Sequence, residues 1–134
     1  MSALTRFLYP VPAERSFGHI IIWWEKRRLA FNLVVGATGL LSLSVIALIG
    51  LMPPHPGFSG PPPLAILIYG VIANFCYTFG WMIEGAAHGA WKEGLQPTGP
   101  VLFRQGLIFA VGVTLLPIGV ALFSWAARII SFLW

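Results

Sequence analysis

Three long stretches of the chain carry almost no charge, and two short stretches rich in proline and glycine divide them. Residues 29–52, LAFNLVVGATGLLSLSVIALIGLM, run for 24 positions without a charged side chain. As a helix that stretch is about 36 Å long, enough to cross a hydrocarbon layer of about 30 Å with some tilt. Residues 64–83, LAILIYGVIANFCYTFGWMI, give 20 more positions, closed by Glu84. The third stretch covers residues 101–126 and is broken only by Arg104, which can snorkel to the surface from one turn inside. The pattern predicts an all-α membrane protein with transmembrane helices over about 29–52, 64–83 and 105–125.

The dividers support that division. Residues 53–63, PPHPGFSGPPP, hold six prolines and two glycines and no Asp, Glu, Lys or Arg. Such a segment stops one helix and starts the next as an antiparallel neighbour. Residues 92–100, KEGLQPTGP, form the second break. The second helix can extend beyond Glu84 through EGAAHGAW, although Gly85 and Gly89 weaken the extension. In the third run Pro117 is a place for a kink, and residues 126–134 can continue the helix or turn along the membrane surface.

The N-terminal part is patterned differently. Residues 1–13 contain two prolines and read as an irregular arm. Residues 14–28, ERSFGHIIIWWEKRR, hold a short apolar core with charge on both sides. That core is too short to span, so residues 1–28 read as a cytoplasmic arm with an interfacial amphipathic helix, leading into a transmembrane domain over 29–134. Trp23 and Trp24 suit the headgroup level, where an indole keeps its N–H wet. Lys26, Arg27 and Arg28 are expected just outside it.

Composition agrees with the pattern and adds orientation. The chain has 134 residues, 57% of them hydrophobic and 9% charged. Soluble domains carry about a quarter charged residues, so this surface cannot be made water-compatible. The net charge of +4 could point to nucleic acid in a soluble protein, but five of the eight basic residues precede residue 29 beside the first apolar run. They read as topology and anionic-lipid contacts rather than nucleic-acid contacts. With three spans, Arg6, Arg15, Lys26, Arg27, Arg28, Lys92 and Arg104 share one side, and Arg128 stands on the other. That bias predicts a cytoplasmic N-terminus and an opposite C-terminus, in a membrane of the bacterial inner-membrane type.

The second helix carries the most informative face. Asn74, Tyr77, Thr78, Trp81, Glu84 and His88 recur at spacings of one, three or four and form one polar and aromatic stripe. Polar groups at membrane depth need partners, so the stripe should face protein or a wet cavity. It can act as packing glue, with Asn74 bonding to a neighbouring helix, or as a small ligand, lipid or ion site. Glu84 and His88 at i, i+4 could share a metal ion, but two ligands are too few and His19 would have to fold back to help. An ion pair of Glu84 with Arg27 or Arg28 is the simpler expectation. A second candidate surface for an anionic headgroup or a partner comprises Trp23, Trp24, Lys26, Arg27, Arg28 and Asn32. Gly112 and Gly119, seven apart on the third helix, permit close approach of a neighbour. His55 is alone in the proline loop.

Enzyme signatures are missing from the sequence. There is no GxSxG, HExxH, CxxC or P-loop, no aspartate at all, and one cysteine, Cys76, inside an apolar run. No cofactor is implied. The expected role is a small accessory or structural subunit packed against other membrane subunits or copies of itself. The alternatives are a homo-oligomeric channel lined by the Asn74–Glu84 face or a membrane-perturbing effector, and a lipid or small-ligand binding protein.

Overall fold

A computed structural model of the protein describes residues 16–54, 56–57, 60–90 and 99–134. The irregular arm, the expected cytoplasmic cations Arg6, Arg15 and Lys92, and His55 lie outside the described residues. The described chain forms three helices: α1 (Phe17–Gly50), α2 (Pro63–Ala90) and α3 (Gly99–Leu133). All three are long and apolar enough to cross a membrane.

Each helix is longer than the apolar run that predicted it. α1 has 34 residues, α2 28 and α3 35, which makes them about 51, 42 and 52 Å long. The expected interfacial helix is not a separate element. α1 runs unbroken through Arg28 and Leu29, because no proline stands between Ile20 and Ala37. Its start is set locally at Ser16, whose backbone is extended and whose hydroxyl accepts from the His19 N–H. Its end is set by Pro53 and Pro54, with Leu51 N–H closing on Ala47 and Leu48. Pro63 opens α2 at a position where its missing N–H costs nothing. α2 continues through Gly85 and Gly89 to Ala90, and α3 continues through Pro117 and beyond residue 126 to Leu133.

The buried core sits at one end of the bundle. Ile20, Trp24, Phe31, Val35, Tyr77 and Phe103 form it, drawn from all three helices. The rings meet edge to face: Trp24 and Tyr77 at 5.2 Å, Trp24 and Phe103 at 6.0 Å, Tyr77 and Phe103 at 6.2 Å between centroids. The rest of the helices buries little. Leu40, Phe75, Phe109 and Phe123 stay exposed, as a lipid environment allows. At the opposite end Trp125 donates to the Pro53 carbonyl at 3.0 Å and Arg128 to the Ile49 carbonyl at 3.3 Å. On α1 the interval from Arg28 to Ile49 is charge-free and about 30 Å long. That matches the hydrocarbon thickness of about 30 Å.

Candidate functional site

Glu84 is the centre of this aromatic end. It lies near the C-terminal end of α2, and it is 4% exposed. One carboxylate oxygen accepts the Trp24 indole N–H at 2.7 Å, and the other accepts the backbone N–H of Gly99 at 3.0 Å. Gly99 is the first residue of α3. The carboxylate therefore meets an open N–H at a helix start, where negative charge is favoured by the helix dipole. Gly99 is required for that approach: a Cβ there would collide with the Glu84 carboxylate. One side chain of α2 thus ties α1 and α3 together.

Tyr77, two turns earlier on the same face of α2, donates its hydroxyl to the Trp24 carbonyl. That carbonyl belongs to an α1 turn, so the bond crosses the same helix pair. Gly80 lies under the Trp24 indole, and a Cβ at this position would stand 2.8 Å from the ring. Trp24 itself is 2% exposed. The expectation of a wet indole at the headgroup level is corrected for this residue: its N–H is consumed by Glu84 in the protein interior.

The basic border divides into three fates. Arg28 forms a two-pronged ion pair with Glu25, at 2.7 and 2.9 Å, and also donates to Thr78 at 3.1 Å. The anticipated pairing of Arg28 with Glu84 is thereby corrected, because a carboxylate three residues away on the same helix reaches it first. Arg27 is 3% exposed rather than outside the bundle. Its guanidinium stacks over the Trp23 ring at 3.9 Å and donates to the Trp23 carbonyl at 2.8 Å, a use of planarity that lysine could not copy. Lys26 is exposed.

Asn32 and Asn74 form a reciprocal amide pair between α1 and α2, with N···O distances of 3.2 and 2.9 Å. Asn74 also donates to the Gly70 carbonyl. Thr78 donates to the Asn74 carbonyl at 2.9 Å. Trp81 packs edge-on against Phe17 at 6.2 Å. Among the described residues the buried indole N–H groups of Trp23 and Trp81 have no hydrogen-bond partner, so the expectation of a wet indole is corrected for Trp23 as well. His88 is half-buried one turn beyond Glu84, and His19 hydrogen-bonds Ser16 at 2.8 Å. Among the described residues no group of three His, Cys, Asp or Glu side chains is placed to hold a metal ion.

The structure thus brings Asn74, Tyr77, Thr78 and Glu84 onto the face that α1 covers, and it joins Trp24, Arg28 and Asn32 to them. Several participants carried no individual signal as site residues. Gly80, Gly99 and Phe103 matter through what stands opposite them. Tyr69 and Thr114 could have been found, as hydroxyls inside apolar runs that need partners. The Tyr69 hydroxyl meets that of Thr114, and the Thr114 hydroxyl donates on to the Ala110 carbonyl, which ties α2 to the middle of α3. Compared with known proteins, the chain matches no family model, no curated protein and no solved structure.

Proposed function

We propose that this protein is a small accessory subunit of a membrane complex, inserted with its N-terminus in the cytoplasm and its C-terminus on the opposite side. One observation carries the reading. The polar face of α2 is consumed inside the chain, by Asn32, Trp24, Arg28 and Gly99, while the outer faces of the helices present large apolar side chains and glycines. Gly36, Gly112 and Gly119 have nothing within 4 Å of where a Cβ would stand, so a neighbouring helix can approach closely there. The rigid aromatic end would hold the three helices at a fixed angle, and the membrane-embedded surface would meet the partner.

A channel lined by the Asn74–Glu84 face draws less support, since that face would first have to leave its intrachain partners. Extraction in a mild detergent, followed by particle mass and identification of the co-purifying chains, tests the proposal. The expected particle holds other membrane chains besides this one. A lone monomer overturns it. So does a homo-oligomer that conducts ions in liposomes and loses conductance on Glu84→Gln or Asn74→Ala.

A further inference from the structure

A groove of about 170 Å³ runs between α2 and α3 on the side where α1 forms its floor. Trp24 and Phe31 make the floor, and the walls are apolar side chains and glycine, with Cys76 at the lip. Along α2 the groove extends from Gly80 to Tyr69, and along α3 from Leu102 to Val113. Each interval is twelve residues, about 16 Å from first to last along the helix.

That length has a meaning in the membrane frame. The deep end of the groove is closed where Tyr69 and Thr114 bond across it. Thr114 lies against Gly39 of α1, and Gly39 is midway between Arg28 and Ile49, the ends of the charge-free interval. The groove therefore starts near one membrane surface and stops near the bilayer midplane. Its rim residues Ile72 and Phe109 are exposed on the membrane side. A slot one leaflet deep, apolar throughout and open to lipid, has the dimensions of a single hydrocarbon chain.

We propose that this groove holds one acyl chain of a phospholipid from the leaflet at the α1 N-terminal side, as an integral filler of the bundle. The driving force is contact rather than hydrophobic transfer, because the chain leaves one apolar medium for another. An unfilled slot forfeits the dispersion energy of its walls, and a flexible chain restores it. The inference concerns the single chain and stands apart from any partner subunit.

Gly106 supplies the test. It lines the groove, yet a Cβ there meets nothing within 4 Å. Gly106→Leu would put a branched side chain into the slot, its Cβ starting in open space. Gly112→Leu makes the same change on the same helix outside the groove, where a Cβ also meets nothing. The full chain is placed in phosphatidylcholine nanodiscs and released into the gas phase for mass measurement. One retained phospholipid per chain is expected for the wild type and Gly112→Leu. Retention should fall about ten-fold in Gly106→Leu, the equivalent of ten or so lost carbon–carbon contacts. Equal retention in all three overturns the proposal.

A second measurement uses the unaltered protein. Phosphatidylcholine with a photoactivatable diazirine at mid-chain is irradiated in the same nanodiscs and the labelled residues are mapped. Label concentrated on groove residues such as Cys76 and Leu107 supports the proposal. Label spread evenly over the outer residues Phe75, Phe79 and Ile108 indicates an ordinary lipid annulus and overturns it.

Discussion

Glu84 accepts one N–H from α1 and another from the first residue of α3, and each oxygen has its own donor. An amide in its place keeps one acceptor and turns a donor toward the other N–H. Glu84→Gln should therefore destabilise the bundle by about 1–3 kcal/mol, the cost of leaving a buried donor unsatisfied. The check is thermal unfolding in one fixed detergent, and an unchanged Tm would refute this role. The glycines give a paired test at the same scale. Gly80→Ala places a methyl 2.8 Å from the Trp24 ring, and overpacking there should cost about 1–3 kcal/mol. Gly36→Ala meets open space and should be neutral, or stabilising by up to about 1 kcal/mol through helix propensity. If both variants melt alike, the close approach at Trp24 is not what the glycine at position 80 provides.

Between elements, polar pairs supplement the packing of α1 against α3, where Gly39 meets Thr114. The Asn32–Asn74 amide pair joins α1 to α2, and the Tyr69–Thr114 pair joins α2 to α3. In lipid an amide that loses its partner has no water to turn to, although the loosened state finds some replacement. A double-mutant cycle on Asn32→Leu and Asn74→Leu should give a coupling of about 0.5–2 kcal/mol, with the double variant better than the sum of the singles. Additive losses would show that the two amides do not act as a pair. The helices also outrun their apolar cores. α1 begins eleven residues before Arg28, and those residues carry Ile20 and Trp24 into the core. The stretch expected as an interfacial helix is thus continuous with the first apolar run in one helix.

Over the whole molecule the packing is lopsided. Six core residues from three helices gather at one end, and two hydrogen bonds from α3 to the α1 end and the loop after it close the other. Between them Ser42 and Thr114 stay buried where α1 meets α3, and the outer faces of the helices are left to lipid or to another chain. The proposed orientation follows from charge and is open to a direct check. A phosphatase domain that is active only outside the cytoplasm, fused after Trp134, should be active. A fluorescent protein that matures only in the cytoplasm, fused before Met1, should fluoresce. The reverse pair of results would invert the orientation and place the aromatic end at the outer surface.

The three helices were legible in the sequence because charge-free length and proline dividers act locally, over 20 or so residues, with no need of a partner. The face of α2 was legible as well, since 3.6-residue periodicity places Asn74, Tyr77, Thr78 and Glu84 together whatever lies opposite. What lies opposite was not legible. Glu84 had cationic candidates at its membrane surface, and charge alone offered Arg27 and Arg28 alike. The fold gave Arg28 to Glu25 and gave Glu84 the neutral donors of Trp24 and Gly99. The same holds for residues 17–28, where aromatic and basic residues describe a membrane border as well as they describe a helix end packed on two neighbours. Periodicity assigns a residue to a face, and only the crossing of three helices decides which face it meets and at what height.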